Sequence, residues 1–355
     1  MKDLKNLVPV LIHELRGVHQ VVVQNGSITD TSIYALQLLK HGTDTVVLQA
    51  DRNEDEVITN FAKKTGPRLL LSGVHSGGTA GGHTQTWEFA GLFGQNKWFV
   101  GVKWKLDRND AGLTAENKKR YWTSQIARVP FASETYRSHL SLPRLSSLNQ
   151  AGCNYGDEKV PYGSVAYPGV VLRRVEAAVS PDYKWFLIAS IDYEGTGHFG
   201  LYRLADINAV LDDAEESNAY VSIAELPCYG AFMIHGLTDS LAGIGSIQGY
   251  DLDEDCNIYI SSEFSPVTGS AISKNRKIVK IPWGVDENNS ELWERLDLNA
   301  VNDCNNAGTT LDVSGYATEF ESVQVLAAND LYLTVSYHEV GPGTTLFSRI
   351  YEIKW

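Results

Sequence analysis

Five polar side chains occupy the same place in five similar segments of this 355-residue chain. In each segment a glutamine or glutamate stands directly before an apolar, strand-like run, and successive segments lie 65, 91, 72 and 73 residues apart. If the segments fold alike, two carboxylates and three amides face one axis, where they could bind a cation, a water cluster or sugar hydroxyls. Alternatively, they hydrogen-bond backbone groups of adjacent repeats. The five residues are Gln20, Gln85, Glu176, Gln248 and Glu321.

Paired carboxylates are also the groups that hydrolyse glycosidic bonds, one as acid and the other as base or nucleophile. Glu176 and Glu321 are the first candidates for such a pair, with Glu88 or Asp251 as alternatives. The sequence contains no GxSxG, HExxH or phosphate-loop motif. We therefore expect a protein that is not an enzyme, with glycoside hydrolysis as the minority interpretation.

Other side chains near the repeats are candidates for contacts at the mouth of the central channel. Histidine and arginine side chains could reach a ligand there, and aromatic rings could stack on sugars, although most aromatic side chains in strands belong to the core. These secondary candidates are His19, His83, Trp87, Arg174 and Tyr250.

An acidic run is the only segment that suggests a metal. Asp251, Asp253 and Asp255 place oxygens at positions 1, 3 and 5 of a calcium-type loop, but Cys256 and Ser262 stand where that loop needs glycine and a bidentate glutamate. The repeat requires a hairpin turn here, and Asp and Asn favour turns. We expect a turn and no cofactor, with a structural cation as the alternative.

The spacing of the repeats predicts an all-β protein. Each unit shows three strands and often a weaker fourth, which is typical of a propeller blade. We predict one domain over residues 1–355, a five-bladed β-propeller whose blades open near residues 20, 85, 176, 248 and 321, with a long irregular insertion at 133–170. The last unit lacks a fourth strand, so the N-terminal strand, residues 7–15, is expected to close the ring.

Charge and hydropathy exclude several partners. The formal net charge of −13 argues against nucleic acid and against polyanionic wall polymers. No apolar run is long enough to span a membrane, and the N-terminus carries no recognisable signal peptide. The four cysteines, at 153, 228, 256 and 304, form no CxxC pair, and their redox state stays open.

Several long segments are specific enough to suggest a family, above all GGHTQTWEFAG at 81–91 and EAAVSPDY at 176–183. They resemble the helveticin J family of large bacteriocins from lactic-acid bacteria. That resemblance implies a secreted or surface-attached antibacterial protein that recognises an envelope component, more plausibly a glycan, of related Gram-positive bacteria, exported without a recognisable signal. The alternatives are a non-killing surface adhesin and a glycosidase-like wall enzyme. The family implies no catalytic residues. The clearest matching segments are GGHTQTWEFAG (81–91), WFVGVK (98–103), PRLSSLN (143–149), EAAVSPDY (176–183), SIQGYDL (246–252) and NIYISS (257–262).

Overall fold

Strands dominate the structure. The computed structural model describes residues 2–4, 7–107, 119–153, 171–217, 219–239, 243–265, 276–299, 311–341 and 343–355. In chain order the strands are β1 (Lys2–Leu4), β2 (Val10–Arg16), β3 (Val23–Ile28), β4 (Ser32–Leu39), β5 (Asp44–Asp51), β6 (Ile58–Asn60), β7 (Arg68–Leu71), β8 (Trp87–Phe89), β9 (Lys97–Leu106), β10 (Tyr121–Pro130), β11 (Glu134–Tyr136), β12 (Arg144–Ser146), β13 (Leu172–Val179), β14 (Trp185–Asp192), β15 (Gly197–Arg203), β16 (Tyr220–Ser222), β17 (Gly230–Ile234), β18 (Tyr250–Leu252), β19 (Ile258–Ser262), β20 (Lys277–Ile281), β21 (Glu294–Asp297), β22 (Tyr316–Ala327), β23 (Asp330–Glu339) and β24 (Thr345–Lys354).

These strands form five sheets, one for each predicted repeat, so the five-bladed propeller is confirmed. Sequential strands pair antiparallel, as the short connections between them require. The five innermost strands open close to the predicted blade starts. From the axis outward, blade 1 is β3-β4-β5-β7-β11, blade 2 is β8-β9-β10-β12-β16, blade 3 is β13-β14-β15-β17, blade 4 is β18-β19-β20-β21-β1 and blade 5 is β22-β23-β24-β2-β6.

The two ends of the chain meet in blade 5. Strand β2 pairs antiparallel with the C-terminal strand β24, in a register that places Glu14 opposite Arg349, and their side chains form an ion pair with Nε–O at 2.9 Å. The three-residue strand β1 lies in blade 4 instead, parallel to β21. The N-terminal segment therefore contributes to two adjacent blades.

Neighbouring blades exchange strands at their outer rims. Strands β6, β11, β16 and β1 each leave their own blade to pair in parallel with the outer strand of the preceding blade. Along the chain, each of these strands comes between the third and fourth strands of one blade but pairs with the blade before it. For β1 the chain is read from the C-terminus on to the N-terminus. These backbone bonds cover sheet edges that would otherwise stand open.

Apolar side chains fill the spaces between adjacent blades. The described residues form five buried apolar clusters, one at each junction between blades. At the junction of blades 1 and 2, the rings of Trp87 and Trp98 stack with their centroids 4.9 Å apart. Each blade can bury its two faces only against its neighbours, which is why the repeats fold as one body.

Two features differ from the sequence prediction. The segment 133–170 is partly regular, because it supplies β11 and β12; its residues 154–170 lie outside the described part of the chain. A 14-residue helix, α1 (Leu204–Ser217), follows β15 and packs its apolar side on the core between blades 2 and 3. The buried Arg128 holds it through hydrogen bonds to Asn208 and an ion pair with Glu215 at 3.2 Å.

The N-terminal strand offers a direct test of ring closure. Leu15 is fully buried between blades 5 and 1, whereas Val10 on the same strand is 45% exposed. We expect Leu15→Ala to lower the free energy of unfolding by about 2–5 kcal/mol and Val10→Ala to change it by less than about 1 kcal/mol. Urea denaturation measures both. Equal effects would mean that β2 is not part of the folded core.

Candidate functional site

Four of the five predicted ring residues meet at the axis. The side chain of Gln85 donates to Glu321 and lies 3.5 Å (Nε2–Oε1) from that of Gln248. Arg174 joins them, because its guanidinium donates to the Gln85 side chain and to the Gln248 carbonyl and lies 3.4 Å from the Glu176 carboxylate. Burial, and next the nearby Glu319 carboxylate, raise the pKa of Glu321 well above its ordinary value. We call Gln85, Arg174, Glu176, Gln248 and Glu321 the axis cluster.

Glu176 is enclosed within this cluster. It is 3% exposed, and its Oε2 accepts from the Thr84 hydroxyl (3.0 Å), the Gln85 N–H (3.1 Å) and the Thr86 hydroxyl (2.6 Å). A carboxylate with this many donors holds the ends of two inner strands together. Ligand binding by the ring stays a prediction; what the geometry places there is a set of bonds between blades.

Gln20 does not join the axis cluster. It is exposed and precedes β3, so blade 1 reaches the axis region through residues four and five positions later. The side chain of Gln24 contacts His83 at 3.1 Å, and Asn25 Nδ2 donates to the Gln85 carbonyl at 2.8 Å. The repeat alignment places Gln20 at the head of blade 1 because a glutamine stands before valines there. The strand itself begins at Val23.

The same kind of bond occurs at every junction between blades. The innermost strand of each sheet has one edge without a strand partner, and polar side chains satisfy the backbone groups along it. Taken in order around the ring, examples run from Asn25 Nδ2 to the Gln85 carbonyl (2.8 Å), from the Ala177 N–H to Thr86 Oγ1 (2.9 Å), from Arg174 Nη1 to the Ile247 carbonyl (2.7 Å), from the Val325 N–H to Asp251 Oδ2 (2.6 Å) and from the Ile28 N–H to Gln324 Oε1 (2.8 Å).

The secondary candidates separate into two groups. His83 stacks on Trp122 with ring centroids 3.9 Å apart, and burial followed by Arg174 and Arg120 lowers the pKa of His83 to about 3, so it is neutral. Arg174 lies over the rings of Trp122 and Tyr250, 4.8 and 5.7 Å from their centroids. His83 and Tyr250 therefore lie beside Arg174 and border the axis cluster.

The remaining two candidates lie outside the axis cluster. Trp87 is buried in the apolar layer between blades 1 and 2 and borders the cavity described below. His19 exchanges backbone hydrogen bonds with the Gln37 side chain, and burial, with Lys63 and Arg68 nearby, lowers its pKa.

The three aspartates of the acidic run do not converge. Asp253 caps the hairpin turn, accepting from the N–H groups of Asp255 (3.0 Å) and Asn257 (2.9 Å), which is the geometry of an Asx turn. Asp251 turns instead towards blade 5. Within the described ranges, no group of three or more His, Cys, Asp or Glu side chains is arranged to hold a metal ion. Cys153, Cys228 and Cys256 are free thiols, and Cys304 lies outside those ranges.

A cavity of about 640 Å³ opens where the five inner strands end. Every blade contributes to its lining, which includes Ile28, Glu88, Val179, Asp251 and Gln324. Its volume is within the range of ligand pockets, and a position on the axis of a closed ring is a usual place for such a pocket. We call it the axial cavity.

Two carboxyl groups in the axial cavity have perturbed acidity. Burial raises the pKa of Asp251 to about 8, against the effect of its two backbone N–H donors. Burial, then Asp251 and Glu176, raise the pKa of the half-buried Glu88 well above its ordinary value. Neighbouring carboxyls whose pKa values are raised by burial are typical of functional sites.

Aromatic rings form one wall of the axial cavity. Phe89, Phe93 and Tyr183 contact one another edge to face, with ring centroids 5.2–5.7 Å apart. Phe93 is 75% exposed and Tyr183 is 37% exposed, so their faces are available to a ligand. Neither Phe93 nor Tyr183 is among the candidates predicted from the sequence, although the turn between Gly91 and Gly94 is an unusual position for a core phenylalanine.

Comparison with known proteins decides the family. The family model for bacteriocin helveticin-J matches residues 3–355. The chain belongs to the helveticin-J bacteriocin family. It is 37% identical over 353 residues to bacteriocin helveticin-J of Lactobacillus helveticus, a match that covers 95% of this chain and 93% of that protein. The expected family resemblance is thus confirmed.

Solved structures with a similar course of the chain also exist. The catalytic domain of Coprinopsis cinerea GH62 α-L-arabinofuranosidase superposes with a TM-score of 0.44 at 8% identity, covering 98% of this chain and 97% of that one. A thermostable family-43 glycoside hydrolase gives 0.44 at 10% identity, with 96% and 90% covered. Likeness at this level says nothing about the activity of a helveticin-J family member.

No helix in the described part of this helveticin-J family protein is long and apolar enough to cross a membrane.

We expect the loss of Arg174, the cation of the axis cluster, to lower the stability of the fold strongly. Arg174→Met leaves buried carboxylate and carbonyl oxygens without their donor, so the free energy of unfolding should fall by about 3–5 kcal/mol. Arg203→Met is the matched control, because Arg203 also lies over two rings, 5.6 and 5.5 Å from the centroids of Trp185 and Tyr229, but is exposed. It should cost less than about 1 kcal/mol. Urea unfolding that shows similar losses for both variants would contradict a buried bonding role for Arg174.

The cavity carboxyls predict a pH dependence of stability. Asp251 and Glu88 hold their protons in the folded state at pH values where the unfolded chain has released them. Stability present below about pH 4 is therefore lost as the pH rises towards 8, by at most about 1.4 kcal/mol per pH unit for each group. Glu88→Gln should make the decline between pH 5 and pH 8 shallower.

The measurement is the free energy of unfolding at pH 5, 6, 7 and 8. Glu216→Gln, at an exposed position on α1, changes the net charge equally and should leave the slope as in the wild type. An unchanged slope in Glu88→Gln would show that Glu88 is ionised throughout this range.

Proposed function

We propose that this protein is an antibacterial protein that recognises the cell envelope of related Gram-positive bacteria. The observation that carries the proposal is membership of the helveticin-J bacteriocin family over nearly the whole chain. The accessible face for recognition is the axial cavity, because it opens to solvent while the axis cluster is enclosed by its own hydrogen bonds. The protein acts outside the producing cell, as a secreted or surface-associated molecule.

The envelope component is expected to be a glycan. A protein with a formal net charge of −13 is repelled by polyanionic wall polymers, which favours a neutral glycan or a contact bridged by cations. Of these two, neutral wall polysaccharide is the class of receptor that we propose. Nucleic acid is disfavoured for the same electrostatic reason.

The test of this function is to incubate purified protein with intact indicator cells of related Gram-positive strains. Cell-bound protein is measured by sedimentation and viability by colony counts on the same samples. We expect binding together with a loss of viability, and neither effect on an unrelated Gram-negative strain or with protein unfolded by heat. Binding without killing would establish the non-killing adhesin instead. No binding to any indicator strain would refute envelope recognition.

A second candidate function is glycoside hydrolysis, which the adjacent Glu88 and Asp251 favour. A carboxyl kept protonated near neutral pH is suited to act as the general acid beside a second carboxyl. The pair first favoured by the sequence, Glu176 and Glu321, is buried in the axis cluster. Release of reducing sugar from purified walls that is lost in Glu88→Gln would promote this activity, and walls left intact would exclude it.

A further inference from the structure

The axial cavity has two chemically different surfaces that face the same space. Its floor carries polar groups, and one wall carries exposed aromatic rings. The floor residues Glu88, Asp251 and Gln324 form a second polar layer. Each stands three positions further along the chain than a residue of the axis cluster, namely Gln85, Gln248 and Glu321 respectively. The sequence repeat thus places this layer at the open end of the axis.

The bonds of the floor leave Glu88 as the group for a ligand. Asp251 accepts from the N–H groups of Leu252 (2.8 Å) and Val325 (2.6 Å), and Gln324 is bonded through both its oxygen and its nitrogen to Ile28. Glu88 accepts from the backbone of Val179 and is partly exposed to the cavity. A carboxyl so placed can both donate to and accept from hydroxyl groups.

The aromatic wall is held in place for contact. Tyr183 adopts a φ of +57°, which is costly for an aromatic residue and fixes it in the turn after β13. Gly91 fits against it so closely that an added Cβ would lie 3.1 Å from the Tyr183 Cβ. Phe93, 75% exposed, packs on Tyr183 at 5.2 Å between ring centroids. An exposed aromatic face of this kind on a soluble protein marks a binding surface.

Charge selects among possible ligands. Asp30 in the lining opposes a polyanion, as does the net charge of the whole protein. A cation is opposed by Arg52 in the lining, which donates to the Thr29 carbonyl at 3.1 Å and also pairs with the exposed Glu54 carboxylate at 3.1 Å. A ligand with polar edges, apolar faces and no charge satisfies both surfaces, and sugar rings have that character.

We propose that the axial cavity is a carbohydrate-binding site that takes a neutral oligosaccharide, whose rings stack on Phe93 and Tyr183 and whose hydroxyls bond Glu88. For the source of the sugar, a neutral polysaccharide of the target cell wall, this inference rests on the function proposed above. The position of the site and the class of ligand rest on the cavity alone.

The experiment measures binding of neutral wall polysaccharide by isothermal titration calorimetry. The polysaccharide is released from walls of a sensitive indicator strain and freed of teichoic acid by anion exchange; the retained anionic fraction is titrated in parallel. The double variant Phe93→Ala/Tyr183→Asn removes the aromatic wall, and asparagine is chosen because it tolerates a positive φ. Tyr220→Ala is the control, since Tyr220 is 62% exposed on β16 at the outer rim of blade 2.

We expect wild type and Tyr220→Ala to bind the neutral fraction alike and the double variant to bind at least tenfold more weakly, a loss of about 1.4 kcal/mol. Unfolding midpoints of all three proteins should agree within a few degrees, which separates lost contacts from lost folding. Glu88→Ala, tested beside them, should also weaken binding about tenfold.

The outcomes separate the site from the function. If the double variant binds cells as well as the wild type does, the cavity is not the receptor site. Envelope recognition would still be supported in that case. Binding of the anionic fraction in preference to the neutral one would overturn the ligand class. Binding of the neutral polysaccharide at the cavity with no effect on cell viability would support the site and refute the killing function.

Discussion

The unpaired inner edge of each blade is the constraint on which the rest of this structure depends. A propeller turns five sheet edges towards one axis, and their N–H and C=O groups cannot be left unbonded in a packed interior. This protein satisfies them with side chains from the preceding blade, such as Asn25, Thr86 and Gln324, and with the guanidinium of Arg174. Among the residues that head the repeats, Glu176 serves the same purpose, because its carboxylate accepts from the Gln85 N–H.

The same constraint determines where a ligand can bind. In the axis cluster the polar side chains are bonded to one another and to backbone groups, and Gln85, Arg174, Glu176 and Glu321 are buried. Where the inner strands end, the axial cavity opens, and there the polar layer of Glu88, Asp251 and Gln324 meets exposed rings. Burial raises the pKa of Glu88 and of Asp251, and the nearby Asp251 raises the pKa of Glu88 further, because the site lies between solvent and a closed interior.

Outer strand exchange complements the inner bonds. Strands β6, β11, β16 and β1 tie four of the five blades to the one before them through backbone hydrogen bonds at the rim. The blades are therefore linked at the axis by side chains, in the middle by apolar clusters and at the rim by the main chain. Because neighbouring blades are linked at the axis, in the middle and at the rim, we expect a stiff ring in which exposed residues such as Phe93 keep a fixed position.

The number of blades, the family and apolar strands such as β4 and β14 could be predicted from the sequence, because period and strand pattern are local properties. The repeats also grouped Gln85, Glu176, Gln248 and Glu321 as a set. The position of Gln20 outside this set became clear from the folded chain, since a strand start can shift by a few residues without changing the pattern. Likewise only the tertiary structure brought Glu88 to Asp251 and placed Phe93 beside Tyr183, because these pairs are far apart in sequence and meet only when the ring closes.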